Sequence, residues 1–505
     1  MYSSLNEFLL DLEKRSELVR VSEPVSTHLE ITEIQRRLIL EKGPAVIFEN
    51  VDSSNMLPYG RPDAQHPNIP IICNLFGTEH RIALGLGLNA VSELRGLGQE
   101  LAILKHPKMP QNFSEAKDMF PLVKRVLSMR PKIVKDGPCH DQVFEGKEVD
   151  ISMLPVQGCW PDEPAPLITW GVAVTQGKED GLYNLGIYRL QVLSHNKVIV
   201  RWLKHRGGAE HYRNWKKKTP ENNKMPIAIV LGSDPATLLS AVMPIPDNIS
   251  EYNFSGLIRK RRLELTKCKT NDILVPANSD IVLEGWIDLN EMAEEGPYGD
   301  HTGFYNQVEK FPVMTITAIT MKKNPLYLTT FTGRPPDEPS VLGAALNEVF
   351  VPLLQEQFPE IVDFWLPPEA CSYRIAIVSI KKSYPGHAKR IMMGVWSFLR
   401  QFSYTKFVIV VDADINVRSW CDVMWAISTQ MDFGRDVLQV HNTPIDYLDF
   451  ASQELELGTK IGFDATTKIF PETKNEWGRT IFQKNEIINR VSQKWLQYGF
   501  SKEKS

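Results

Sequence analysis

The chain has 505 residues, 43% of them apolar and 23% charged, with a formal net charge of -4. These are ordinary globular values, enough for two to four domains and a sizeable core that needs no disulfide or metal staple. The charge balance implies no nucleic-acid footprint, and no window approaches the ~18 uninterrupted apolar residues of a membrane span.

Ser4 and Glu7 have the spacing of a capping box. Leu5, Phe8, Leu9 and Leu12 follow at helical spacing and predict a first helix. The opening stretch MYSSLNEFLLDLEKR carries acids and lacks a basic segment before an apolar run, so a signal peptide is not expected. Up to about residue 120 such helices alternate with short apolar runs such as Ala45-Val46-Ile47-Phe48. From about 120 to 330, β-branched runs separated by turn residues take over, at 171–174, 188–193, 198–203, 227–231, 281–283 and 313–321. That spacing predicts an antiparallel sheet or barrel, with a short helix at 235–241.

The turn-rich segment 332–340 (TGRPPDEPS) is a junction. Beyond it a helix at 342–358, a strand at 373–380, a helix at 388–402 and a buried strand at 407–411 predict βαβ units. In 485–498, Ile487, Ile488, Val491 and Trp495 recur at helical spacing, which reads as an arm helix docking on another surface. The basic runs Lys216-Lys217-Lys218 and 259–262 read as solvated faces. The six cysteines, Cys73, Cys139, Cys159, Cys268, Cys371 and Cys421, form no CxxC pair. That argues against a zinc ribbon and fits a reducing cytosol.

Four clusters carry chemistry. EEGPYGDHTGFYN, 294–306, packs three acids and a histidine around glycines and a proline that fix a tight turn. Carboxyls crowded on a rigid turn can have one pKa pushed up, as a general acid needs, or the segment is an acidic surface turn. NLGIYR and RWLKHRGG, within 184–208, place Arg189 and Arg201 on strand-like runs and Arg206-Gly207-Gly208 in a turn. Arginines beside the N–H groups of a glycine turn suit a phosphate, and a basic surface hairpin has the same sequence. Asn184, His205 and Glu251 are candidate ligands for a divalent metal such as Mn²⁺, although their spacing alone carries no signal. VVDADINV puts Asp412 and Asp414 after a buried strand, as a metal–nucleotide site of a transferase or as solvated acids with a helix cap. Gly85-Leu86-Gly87 lacks a full dinucleotide fingerprint, and Asp432-Phe433-Gly434 has no kinase loops around it.

These stretches occur together, and in order, in one known family. NLGIYRLQVL, RWLKHRGGAEHY, EEGPYGDHTGFYN, TGRPPDEPSVLGAALNEVFVPLLQEQFPEIVDFWLPPEACSYR, GHAKRIMMGVWSFLRQF and NTPIDYLDFAS resemble the UbiD decarboxylases, in particular their 3-polyprenyl-4-hydroxybenzoate branch. The resemblance implies an α+β / α/β chain. An N-terminal α/β region (1–120) precedes a central split β-barrel, flavin-reductase-like domain (121–330). A C-terminal α/β domain (331–480) and an arm helix with its tail (481–505) follow.

It also implies a prenylated FMN cofactor supplied by a partner flavin prenyltransferase, a divalent metal, usually Mn²⁺, and K⁺ nearby. Carried over by position, Asn184, His205 and Glu251 would bind the metal. Ile187, Tyr188, Arg189, Arg201, Trp202, Leu203, Arg206 and Gly207 would hold the cofactor. Glu295, Arg189 and Asp300 would form the catalytic network, with Asp300, kept protonated by burial and nearby negative charge, as the proton donor. The implied reaction is non-oxidative decarboxylation of 3-polyprenyl-4-hydroxybenzoate in ubiquinone biosynthesis. A homohexamer, peripheral contact with the cell membrane and a cytoplasmic location go with it. A Mn²⁺-dependent transferase using Asp412 and Asp414, and a non-catalytic scaffold, are the rival readings.

Overall fold

The computed structural model describes residues 1–61, 67–105, 125–178, 181–203, 207–218, 223–243, 245, 249–398, 400–454 and 456–499. The first helix is Leu5–Lys14, with Leu5, Phe8, Leu9 and Leu12 buried. Ser4 caps it by accepting the Glu7 N–H at 3.2 Å. The expected box does not close, because the Glu7 carboxylate takes the N–H and hydroxyl of Ser3 instead. Strands Leu18–Val21, Ala45–Phe48 and Ile71–Cys73 form a sheet whose fourth member, Tyr327–Leu328, returns from far along the chain. That pairing fastens the N-terminal region to the central one.

The central sheet has nine strands. Its main path runs Tyr183–Ile187, Val172–Gln176, Lys224–Leu231, Ile281–Glu295, Glu309–Met321, Lys197–Val200, Leu190–Ser194 and Leu167–Ile168. Six strand spacings, roughly 29 Å if the sheet were flat, separate Tyr183–Ile187 from Leu190–Ser194. Yet only Tyr188 and Arg189 join them, a link that reaches about 11 Å at most. The sheet must therefore curl until its ends meet, giving a half-barrel with that link at the seam. The expected single strand at 188–193 is accordingly broken, and Arg189 sits at the break rather than on a strand. Arg201 likewise lies just past the end of Lys197–Val200.

The strand expected at 281–283 runs on to Glu295, so Glu294 and Glu295 end a strand instead of sitting in a turn. Its partner is Glu309–Met321, and residues 296–308 connect the two. The C-terminal sheet has the expected βαβ core. Ile375–Ile380, Phe407–Asp412 and Leu457–Ala465 are parallel, with helices His387–Phe398 and Trp420–Gln430 in the connections. Ile361–Trp365 and Val437–Pro444 are antiparallel edges.

One basic run departs from expectation. Arg259 is buried and paired with Asp234 at 3.2 Å, whereas Lys260, Arg261 and Arg262 are exposed. A guanidinium taken out of water needs such a partner. All six cysteines are free, four of them buried. Among the described residues no helix is long and apolar enough to cross a membrane. The arm helix forms at Asn485–Lys494 and continues as a 3₁₀ turn, Trp495–Tyr498, and buries none of its residues against this chain.

A 20-residue helix, Glu338–Gln357, threads the main core. It begins four residues earlier than the apolar pattern suggested because Asp337 caps it. The Asp337 carboxylate accepts the Ser340 N–H at 2.9 Å, and the Ser340 hydroxyl accepts the Asp337 N–H at 3.0 Å. Replacing Asp337 by Ala removes that cap and is expected to cost about 1 kcal/mol. Asp337→Asn keeps an acceptor, so its thermal midpoint should lie between those of Asp337→Ala and the parent protein. Equal midpoints for parent and Asp337→Ala would show that the cap does not matter.

Candidate active site

The break at Tyr188-Arg189 frees the Arg189 side chain to reach the end of the long hairpin. Its Nε and Nη2 donate to the two Glu295 carboxylate oxygens at 2.7 and 3.2 Å. Nη1 donates to Asp300 Oδ2 at 2.9 Å, and Nη2 also reaches Asn306 Oδ1 at 2.9 Å. The guanidinium lies over the Tyr298 ring, 5.4 Å from its centroid. Arg201 comes from the other side and donates from Nη1 to Glu295 Oε2 at 2.7 Å. Its Nη2 bonds the Tyr447 hydroxyl. Glu295, with no solvent exposure, is thus shared by two arginines. Burial of an ion is tolerable only with such partners.

The loop 296–308 is shaped to present Asp300. Gly296 has φ +93°, which favours glycine. A Cβ on Gly299 would lie 2.2 Å from the Trp160 ring, so the loop packs directly on that indole. Asp300 N–H donates to the Phe304 carbonyl and Gly303 N–H to the Asp300 carbonyl, closing a turn. Asp300 Oδ1 faces the N–H and Nδ1 of His301, each at 2.8 Å. Burial alone would raise the Asp300 pKa. Arg189 first, then His301 and Arg201, outweigh it and hold the carboxyl well below its ordinary range. These contacts favour the carboxylate, against the expectation of a protonated Asp300. The group nearest to it is a cation, not a like charge.

The network meets a cleft of about 730 Å³. Arg201 lies over Phe311 and Tyr447, with centroids at 5.1 and 5.4 Å, and both rings line the cleft. Trp202, Leu203 and Ala209 form one wall, Met292, Phe311 and Pro312 a second, and Pro444 and Ile445 a third. Of the residues expected at a cofactor, Trp202 and Leu203 are therefore in the cleft. Tyr188 instead packs into the core, edge-on to Trp202 at 6.3 Å. Arg206 and His205 lie outside the described residues.

The other two expected metal ligands are brought together. Asn184 sits on Tyr183–Ile187, and the Glu251 carboxylate accepts the N–H of the next residue, Leu185, at 3.0 Å. Glu251 begins helix Glu251–Arg259, and burial pushes it up to about 7. Asn184 Nδ2 is buried without a partner. A Cβ on Gly207 would lie 2.0 Å from Asn184 Oδ1, so only glycine leaves that amide room. A buried carboxylate beside an under-used amide is an oxygen-rich set that fits a hard divalent cation. Among the described residues no group of three or more His, Cys, Asp or Glu could hold a metal without such help.

Asp412 and Asp414 do not face this cleft's walls. Asp412 Oδ2 accepts the N–H and hydroxyl of Thr467, each at 2.6 Å, tying two strand ends together. Asp414 is exposed, and the helix that follows is capped by Ser419, not by either aspartate.

Sequence reading missed Asn306, Tyr447 and Glu163. Asn306 lies inside the motif 294–306, so its place there was the available signal. Tyr447 carried none, since its partner lies 246 positions away. Glu163 Oε2 accepts the N–H groups of Cys159 and Trp160 at 2.8 and 3.1 Å, and Oε1 that of Gly299 at 3.4 Å. Burial pushes it up to about 7 in spite of those donors. A carboxyl raised above its unfolded value of 4.5 favours folding below that pH and loses the contribution as pH rises through about 7. Glu163→Gln is therefore expected to flatten the fall in thermal midpoint between pH 5 and 8. Parallel pH profiles for parent and variant would remove Glu163 as a contributor.

The fold and the site match one class of enzyme, the carboxy-lyases. Residues 9–101, 132–335 and 340–465 match the N-terminal, Rift-related and C-terminal domain models of 3-octaprenyl-4-hydroxybenzoate carboxy-lyase. The chain belongs to the UbiD family of decarboxylases. It shares its fold with the vanillic acid decarboxylase of Sedimentibacter hydroxybenzoicus in closed form, at 27% identity, TM-score 0.80, and 98% and 99% coverage of the two chains. The UbiD-class enzyme HmfF from Pelotomaculum thermopropionicum, in complex with FMN, is similar at 25% identity, TM-score 0.76, and 94% and 97% coverage. The 3,4-dihydroxybenzoic acid decarboxylase of Klebsiella pneumoniae shares the fold at 19% identity and TM-score 0.75, over 97% and 99% of the chains.

Proposed function

We propose that this chain decarboxylates 3-polyprenyl-4-hydroxybenzoate to 2-polyprenylphenol in ubiquinone biosynthesis, using prenylated FMN and Mn²⁺. The observation that carries the reading is the Glu295–Arg189–Asp300 network beside a cleft walled by Trp202 and Leu203. Asn184, Glu251 and His205 hold the metal, with K⁺ nearby. Ile187, Arg189, Arg201, Trp202, Leu203, Arg206 and Gly207 hold the cofactor, with the core-packed Tyr188 contributing only through its backbone. When bound, the modified flavin supplies an electron sink for the aromatic ring.

The protein's own groups do the rest. Arg189 and Arg201 keep Glu295 fixed and anionic in the wall. Asp300 returns one proton to the ring carbon that CO₂ leaves. Met292, Phe311, Pro312 and Ile445 exclude water and give a polyprenyl tail an apolar path. A flavin prenyltransferase supplies the cofactor. The substrate comes from the membrane, so the chain contacts its inner face from the cytoplasm. The arm helix, which buries none of its residues against this chain, docks on a second copy within a homohexamer. A smaller aromatic acid is the second reading, favoured by the likeness to a vanillic acid decarboxylase. Product analysis with polyprenylated and unprenylated hydroxybenzoates separates the two.

Protein co-expressed with a flavin prenyltransferase should release prenylated FMN, with about one Mn²⁺ per chain by mass analysis. Folded protein without flavin would sink the reading. Asp300→Asn should keep its cofactor and lose turnover by roughly 10²- to 10⁴-fold, the usual weight of one acid–base group. Glu251→Ala should instead lose metal and flavin together. Normal flavin content in that variant would contradict its place as a ligand.

A further inference from the structure

The network leaves a chemical difficulty. Protonating a ring carbon needs a neutral acid, whereas the contacts of Asp300 favour the carboxylate. Arg189 fixes Oδ2 at 2.9 Å, and the His301 backbone N–H fixes Oδ1 at 2.8 Å. Of the side chains touching Asp300, the guanidinium never releases its proton. Imidazole does so readily near neutral pH, and His301 Nδ1 is 2.8 Å from Oδ1.

We infer that His301 is the proton reservoir of the site, holding the proton that Asp300 delivers to the ring carbon; this rests on the decarboxylase reading above. The groups facing the imidazole come from four elements. Asp300 shares its loop, Asp446 comes from the segment after Val437–Pro444, and Asp337 caps the long core helix. Arg374, just before strand Ile375–Ile380, opposes them. Burial works against a charged ring here. The hydrogen bond and charge of Asp300, with the charge of Asp446, prevail and raise the imidazole above its ordinary value.

The other ring nitrogen, Nε2, is buried and has no partner, and neither has the neighbouring Thr302 hydroxyl. The 19% exposure of the His301 side chain therefore comes from atoms other than Nε2. Nothing in the Glu295–Arg189–Asp300 contacts uses that nitrogen, so its N–H stays out of the transfer.

The transfer balances without a co-reactant. After CO₂ leaves, the Nδ1–H bond of His301 breaks and an O–H bond forms on Asp300. That O–H bond then breaks as a C–H bond forms on the ring carbon. The neutral imidazole keeps its Nε2–H, and Nδ1 regains a proton from solvent by way of Asp300 once the product has left. No electrons change hands beyond the pair left by CO₂, which becomes the C–H bond. His301 acts through Asp300 and does not itself touch the substrate.

The first test needs no cofactor. In ¹⁵N-histidine-labelled protein, the His301 resonance, identified by its loss in His301→Gln, is expected in the imidazolium form at pH 7. In Asp300→Asn it should revert to the neutral form at pH 7, because the anion beside it is gone. A neutral His301 at pH 7 in the parent protein overturns the inference. In holoenzyme, His301→Gln should still release one CO₂ per site in the first turnover, with later turnovers slowed roughly 10²-fold. An unchanged turnover rate and pH profile would also overturn it. An Asp300→Asn enzyme with normal turnover would instead remove the donor assigned under the proposed function. Inactive Asp300→Asn beside fully active His301→Gln would refute the reservoir alone.

Discussion

Curling of the central sheet is the constraint on which the site depends. A two-residue link must connect strands that lie six positions apart in the sheet order. No flat sheet allows this, so the edges close on each other and the chain crosses from one edge ladder to the other at Tyr188 and Arg189, whose backbones bond Gly171 and Arg201. A side chain on a continuous strand would point to one face and stay there. Released at the seam, Arg189 turns across the end of the hairpin that carries Glu295. Both arginines of the site lie at such strand ends, and the loop 296–308 completes the set with Asp300 and Asn306.

Electrostatics then fixes the states of these groups. Two arginines and two carboxylates form a neutral cluster with almost no access to water. Removing one partner of a buried pair typically costs about 3–5 kcal/mol, so the cluster is a structural necessity as well as a chemical one. The same pairing favours the ionised form of Asp300. Stability of the resting site and the supply of a proton therefore pull in opposite directions, and an adjacent imidazole reconciles them. It adds a proton store without weakening the arginine contacts.

The C-terminal sheet is not a bystander. Its edge segment sends Tyr447 to Arg201 and Phe450 to Phe304, the latter ring pair 5.8 Å apart. Ile445 and Pro444 close the cleft. The site is thus assembled between two sheets, each held by its own core, with the long helix Glu338–Gln357 packed between them in a shared core. Asp412 and Thr467 secure the strand ends of the C-terminal sheet, away from the cleft.

The sequence by itself determined the classes of element, because apolar periodicity is a local property: the first helix, the β-rich middle and the βαβ end all follow from it. The resemblance of whole stretches to one family, not spacing, placed Glu295, Arg189 and Asp300 in one network and Asn184 with Glu251 at one site. Only the tertiary structure decided three things. It set where strands break, since Tyr188-Arg189 is a strand by pattern and a seam by closure. It buried Arg259 on Asp234, which a basic run does not announce. It set which cations flank Asp300, because a pKa depends on which partners arrive from distant segments and how far water is excluded, and neither distance nor dielectric is written in the order of residues.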